Sequence, residues 1–222
     1  MIYDNNEITA ITYSGYNIVR AYSCGGELVF GDEPTPPVPP VFEGKFKLTL
    51  NDSSTVSAEC STSSTVTQAE ISAYKATTVS AEIGDCVTAI GFMSFQSCTG
   101  LTSITLPNSL TTIGTDGFSY CYNLTSVNIP NSVTFIGQHA FRYCSFTTIT
   151  IPDSVATIAG QAFQYCSGLT SVTVNATTPP TLGNSAFDST NDCPIYVPAA
   201  SLSAYQSASG WSEYASRLQA MP

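Results

Sequence analysis

The side chains whose type and spacing could do chemistry are four cysteines, one histidine and a run of tyrosines. Cys98, Cys121, Cys144 and Cys166 stand 23, 23 and 22 residues apart. Four thiolates suit zinc only when they converge tetrahedrally. Cysteines repeating once per unit stack as a line about 5 Å apart instead, as equivalent positions on neighbouring strands do. Adjacent members of such a line reach disulfide distance. A small buried hydrophobe needed once per unit explains the line more simply, and free cysteine fills that role. Cys86 occupies a serine position of the repeat, and Cys24, Cys60 and Cys193 lie outside the line. Eight cysteines without an export leader do not compel a disulfide framework. His139 is the single histidine and falls in a variable position, which suits a solvated side chain. A Ser-His-Asp triad needs the base beside a nucleophile and an orienting acid, and no serine here is singled out. The expectation is no catalytic residue, no metal, no cofactor and no enzyme.

Tyr120, Tyr143 and Tyr165 recur just before the cysteines, with Tyr122 close by. Arg142 beside them is the only basic residue between 83 and 198. Aromatic rings with a polar tip anchor many interfaces, and they also pack between adjacent turns of a repeat. These five residues form the candidate contact surface. A second candidate is a strand face of Thr105, Asn128, Thr150 and Thr173, flanked by Thr102/Thr125/Thr147/Thr170 and Ser103/Ser126/Thr148/Ser171. It is flat, uncharged and rich in hydroxyls, which suits contact with glycan or protein. Threonine columns also suit any exposed β surface.

The elements that must position these residues are read from a period of 22–24 residues. Phe95, Phe118, Phe141, Phe163 and Phe187 keep the same time as the cysteines. Each unit has two halves. One is a short strand: Leu101-Thr-Ser-Ile104-Thr-Leu106-Pro107, repeated from Leu124, Phe146 and Leu169. Its proline stops the strand because it lacks a ladder donor. The other half carries an Ile or Leu five residues before the Phe: Ile90/Phe95, Ile113/Phe118, Ile136/Phe141, Ile158/Phe163 and Leu182/Phe187. Glycine follows in four of the five, with Ala159 the exception, and suits a tight bend. No unit buries its apolar face alone, so stacked units share one core.

The run Ile136-Gly137 through Ala140-Phe141 and Cys144, with Ala162-Phe163, Cys166 and Leu169-Thr170-Ser171-Val172, resembles the BspA-like (bacterial surface antigen) class of leucine-rich repeat over roughly 140 residues. The resemblance implies a right-handed solenoid, a role in adhesion or protein binding, and no catalytic residues. The expected fold is a β-rich leucine-rich-repeat solenoid of about five coils of 22–24 residues at 83–198. A β cap precedes it at 42–82 and a C-terminal helical cap follows at 199–222. The helical cap is read as Leu202 to Ser207 and Glu213 to Gln219, with Ser201 as N-cap and Gly210 as a stop.

Residues 1–31 read as strands Ile8–Tyr13, Asn17–Tyr22 and Glu27–Phe30, with Ile11, Tyr13, Ile18, Val19, Tyr22, Val29 and Phe30 as the docking residues of a small β anchor. A segment of this size forms too small a core to stand alone. Its expected partner is a virion protein or copies of itself, and a homotrimer is compatible with that. The segment also resembles short modules of structural proteins of tailed phages of gut bacteria. Residues 32–41 hold Pro34-Thr-Pro36-Pro37-Val-Pro39-Pro40, a semi-rigid polyproline II spacer.

Composition removes several function classes. The net charge is −10, and the six basic residues are scattered, so no patch neutralises phosphates and nucleic-acid binding is not expected. No apolar run is long enough for a membrane span. The polar, acidic start lacks the basic and apolar regions of a secretory signal, so the expectation is either a signal already removed or an exit without secretion, as for a virion component released by lysis. The expected function is binding and display: a phage structural or attachment protein at the virion surface, its N-terminus anchored and its repeats exposed. The alternative is a bacterial cell-surface adhesin that binds host protein or glycan.

Overall fold

The computed structural model describes residues 44–60 and 63–222 in full, and five short strands between 7 and 28. The chain divides into two compact units, 1–41 and 42–222. In the first unit the strands are β1 (Glu7–Ile8), β2 (Ile11–Tyr13), β3 (Tyr16–Ile18), β4 (Ala21–Cys24) and β5 (Glu27–Leu28). β2 and β3 pair antiparallel, and β4 lies between β1 and β5. Three longer strands were the expectation. Pairing Tyr13 with Tyr16 draws Tyr16 into a strand and splits the pattern into shorter pieces. Ile11, Tyr13, Ile18 and Tyr22 fall on these strands. Val19, Val29, Phe30 and the proline segment lie outside the described residues.

The second unit opens with a hairpin of β6 (Phe46–Leu50) and β7 (Thr55–Ala58). Period-2 alternation buries Phe46 and Leu48, as a one-sided strand requires. The Ser54 N–H and hydroxyl both donate to Asp52 Oδ1, at 2.9 and 2.6 Å, and close the loop. β6 also pairs antiparallel with β9 (Thr78–Ile83), which pairs parallel with β11 (Ser103–Thr105). The hairpin therefore occupies the edge of a sheet whose other strands belong to the repeats. Between β7 and β9 lie β8 (Thr65–Val66), helix α1 (Gln68–Ile71) and a 3-10 turn at Ser72–Tyr74. Glu70 fixes this segment. It accepts from the Thr67 N–H and hydroxyl, both at 2.8 Å, and pairs with the buried Lys45 Nζ at 2.7 Å. Burial pushes the Glu70 carboxyl up, but Lys45 and Thr67 together hold it below its ordinary value.

Beyond the hairpin the chain winds through parallel ladders. One joins β8 to β10 (Ala89–Ile90), β12 (Thr112–Ile113), β13 (Phe135–Ile136), β15 (Thr157–Ile158) and β17 (Thr181–Leu182). Thr65, Ala89, Thr112, Phe135, Thr157 and Thr181 stand side by side across it. This is a leucine-rich-repeat fold, and its ladder reaches back to β8, within the segment read from sequence as a β cap.

A second parallel sheet joins β14 (Thr148–Ile151), β16 (Ser171–Val174), β18 (Ile195–Val197) and β19 (Leu218–Ala220). The strand expected from Leu124 to Pro130 does not form. The coil there is one residue short between Cys144 and Phe146. The Ser145 N–H donates to Leu124 O (3.1 Å), a separation of 21, whereas Thr170 donates to Thr147 O across 23. That shift takes the segment out of register with β14.

The core is a stack of identical rings. Phe95, Phe118, Phe141, Phe163 and Phe187 are fully buried. Successive centroids lie 5.3, 5.4, 5.3 and 5.4 Å apart. The cysteine line runs beside it. The Cys121, Cys144 and Cys166 thiols donate to the carbonyls of Phe95, Phe118 and Phe141, one coil back, at 3.2, 3.3 and 3.1 Å. Serine would satisfy the same carbonyl but would lose the apolar contact of sulfur.

Burial raises the Cys98 and Cys166 thiols to about 12 and raises Cys121 and Cys144 well above their ordinary value. Alkylation requires the thiolate. Iodoacetamide at about pH 8 should leave these four unmodified in the native protein and label all four in denaturant, because only exposed thiolate reacts. Peptide mass mapping reads the difference, and native labelling at Cys121 or Cys144 would contradict the packing.

The C-terminal end differs from a helical cap. A 3-10 turn at Ala199–Ser201, helix α2 (Leu202–Ser207) and a 3-10 turn at Trp211–Tyr214 lead into β19. Ser201 is buried and makes no side-chain capping bond. The helix expected at Glu213–Gln219 is replaced because Leu218 pairs with Ile195. A helix would have left the edge of β18 unpaired. Trp211 is fully buried, lies 6.0 Å from Phe187 and donates to Pro180 O at 2.7 Å.

Candidate functional site

The tyrosine column is built by the segment that links the two ladders in each coil. Two residues per coil adopt left-handed backbone: Asp116/Tyr120, His139/Tyr143 and Gln161/Tyr165, all with φ between 55° and 61°. The conformation is unfavourable for residues with a Cβ, at about 1–2 kcal/mol each. It turns alternate N–H groups toward the next coil. Asp116, Phe118 and Tyr120 donate to the carbonyls of Gln138, Ala140 and Arg142 at 2.9, 2.8 and 2.8 Å, and Tyr143 and Tyr165 donate likewise to Gln164 and Asp188. This third ladder sets each tyrosine beside its counterpart.

The rings stack. Tyr120 and Tyr143 lie 5.0 Å apart at 17°, and Tyr143 and Tyr165 lie 4.6 Å apart at 9°. Tyr122 meets Tyr120 and Tyr143 edge-on at 6.0 and 6.2 Å. The Arg142 guanidinium carbon sits 5.0 Å from the Tyr143 centroid and 5.3 Å from that of Tyr165. Tyr122 is 48% exposed and Tyr165 38%, while Tyr120 and Tyr143 are half-buried. Among the described residues Arg142 forms no ion pair, and its Nε is buried without a hydrogen-bond partner. Ser97 and Ser189 take the equivalent left-handed positions in the flanking coils. The aromatic run is therefore three coils long and ends on small residues.

The strand-face residues are less coherent. Thr150 and Thr173 are direct partners. Thr105 instead partners Glu82, and Asn128 sits on no strand. Thr102 and Thr170 spend their hydroxyls on Val79 O (3.0 Å) and Thr147 O (2.9 Å) of the preceding coil. Those two threonines hold coils together.

His139 is not a plain solvated side chain. Its Nε2 is 2.6 Å from Gln161 Oε1, and its Nδ1 is 3.6 Å from Asp116 Oδ1. Gln161 occupies the place a nucleophilic hydroxyl would need, so no nucleophile–base pair is assembled. Among the described residues no group of three or more His, Cys, Asp or Glu is placed to hold a metal ion, and no helix is long and apolar enough to cross a membrane. A disulfide joins Cys60 to Cys86, which the sequence reading did not single out. The one available signal was that Cys86 departs from the serine of the repeat.

The sequence profile described as "BspA type Leucine rich repeat region" matches residues 88–208 in six copies. A crystal structure of a leucine-rich repeat protein from Bacteroides ovatus is 27% identical, with a TM-score of 0.41 over 54% of this chain and 43% of that one. A leucine rich cell surface protein from Faecalibacterium prausnitzii is 26% identical, with a TM-score of 0.48 over 54% of this chain and 31% of that one. The chain thus spans less than half the length of either. No curated protein matches it.

Proposed function

We propose, because the chain belongs to the BspA-type leucine-rich repeat family, that it is a non-enzymatic binding protein displayed on a surface and that Tyr120, Tyr122, Tyr143, Tyr165 and Arg142 contact a protein partner. The observation that carries this is the tyrosine stack with Arg142 laid over two of its rings. Tyrosine and arginine are over-represented where interface energy concentrates. Here the rings are held by a backbone ladder, so little ordering entropy is lost on binding. Thr150 and Thr173 are the part of the strand face best placed to add contacts.

The location is read as the bacterial cell surface. Disulfides persist outside the reducing cytoplasm, and Cys60–Cys86 favours that reading over a virion assembled inside the cell. Residues 1–31 act in either case as the anchor, through a surface partner or further copies of the chain. Small antiparallel sheets of this length need such support.

Saturable binding of the fluorescently labelled full chain to epithelial monolayers tests the reading. The double variant Arg142→Gln/Tyr143→Ser should weaken it by at least about tenfold, the scale of an interface hot spot, with an unchanged circular dichroism spectrum. Non-saturable binding, or equal binding by the variant, would remove these residues from the interface.

A further inference from the structure

A second feature lies on the outward face of the sheet formed by β7, β6, β9 and β11. Register places six side chains there as a grid of two rows across three strands. Lys47 partners Glu82, which partners Thr105. Thr49 partners Ser80, which partners Ser103. The intervening residues Leu48, Ala81 and Ile104 turn to the core and are at most 8% exposed. Strand spacing and rise make the grid about 10 by 7 Å. The six side chains and Ala81 line a depression of 310 Å³.

We infer that this depression is a binding site for a neutral saccharide. The six side chains that line it are all polar, and the Ala81 side chain turns to the core, whereas sites for hydrocarbon or aromatic ligands are lined mainly by apolar groups. Hydrogen-bonding capacity is what it offers. Lys47 brings only donors, Glu82 only acceptors, and the four hydroxyls bring both. Among the described residues none of these six side chains is engaged in a hydrogen bond or ion pair, and Lys47 and Glu82 do not bridge despite being cross-strand partners. All six therefore remain open to a ligand.

A polyol with adjacent hydroxyls matches this set. Two neighbouring hydroxyls donate to the two Glu82 oxygens, while ring and exocyclic oxygens accept from Lys47 and the threonines. Such charge-assisted bonds are the stronger class. The charge balance selects a neutral ligand. Lys47 and Glu82 sum to zero, and an anionic sugar would meet the field of a chain with net charge −10. A footprint of this size holds one or two pyranose rings. The strands are locked below by core packing, so the grid is preformed.

The site is independent of the tyrosine column, and its test keeps them apart. The full chain is screened by saturation-transfer NMR against neutral mono- and disaccharides ending in glucose, galactose, mannose or N-acetylglucosamine. The strongest binder is then titrated calorimetrically. Saturation transfer to at least one sugar is expected. Glu82→Gln should weaken binding by about tenfold or more, as loss of a charged hydrogen-bond partner does, and Tyr143→Ser should leave it unchanged. If Glu82→Gln does not fold, Ser103→Leu at an exposed position obstructs the same depression and should abolish the signal. Silence across the whole panel overturns the proposal. So does affinity unchanged in both depression variants, or affinity lost with Tyr143→Ser.

Discussion

Replacing Phe141 by alanine is expected to destabilise the repeat unit by about 3–5 kcal/mol. The side chain is fully buried. Its ring lies 5.4 Å from Phe118, 5.3 Å from Phe163 and 5.5 Å edge-on from Phe146, so one truncation removes three aromatic contacts. Each such pair contributes about 0.5–1.5 kcal/mol beyond area burial. The neighbours cannot collapse into the space, because the Phe118 and Phe163 backbones are pinned by ladder bonds to Ala140 and Ala186.

The position matters as much as the size. In a solenoid each repeat touches only its neighbours, so stability is a chain of interfaces. A cavity in the middle coil weakens the coupling between the two ends. Trp211 is the single tryptophan and packs on the last phenylalanine of the stack. Its fluorescence therefore follows the C-terminal end, while circular dichroism follows the whole chain. In urea the two probes should coincide for the wild type and separate for Phe141→Ala. Phe141→Leu, which keeps most of the volume, should show a smaller loss and less separation. A destabilisation below about 1 kcal/mol, far under the usual cost of deleting a buried ring, would mean that the stack does not hold the coils together.

The period of the buried residues was legible because one physical requirement repeats: every coil must present the same atoms to the next. That is why Phe95 to Phe187 and Cys98 to Cys166 could be aligned from sequence, and why the structure stacks them. The tyrosine column could be aligned for the same reason. Its backbone could not, since nothing in a tyrosine announces a φ near 60°. That conformation comes from the third ladder, a property of neighbouring coils rather than of local propensity. Arg142 over the rings is likewise a matter of side-chain path. The missing strand at Leu124–Pro130 shows the limit from the other side. Its residues match their counterparts in type and follow β11 at the regular spacing of 23, yet no ladder forms; the shortened coil beyond Cys144 removes its register with β14, and a strand is defined by its partner. β19 is the converse case. Leu218-Gln-Ala carries little strand signal, and pairing with β18 imposes it.

Breaking the Cys60–Cys86 disulfide is expected to cost the second-largest amount, about 3–4 kcal/mol from loop-closure entropy. The bond closes a sequence separation of 26. The enclosed segment holds β8, α1 and β9, the least regular coil of the stack. There a short helix and a 3-10 turn replace the phenylalanine-bearing turn of the later coils. It therefore lacks the ring that staples every coil after it and depends on other ties, the Lys45–Glu70 pair among them. Dithiothreitol should lower the thermal midpoint of the wild type and leave that of Cys60→Ser/Cys86→Ser unchanged, which assigns the effect to this bond. The loss should be local. Amide exchange should quicken at Val66 and Ile71, while Trp211 fluorescence at the far end changes little. The same experiment bears on location. A chain that needs this bond for its first coil matures where thiols oxidise, as a cell-surface protein does. Full stability in reductant, or free Cys60 and Cys86 thiols in protein purified without it, would remove that argument and leave display on a virion equally well supported.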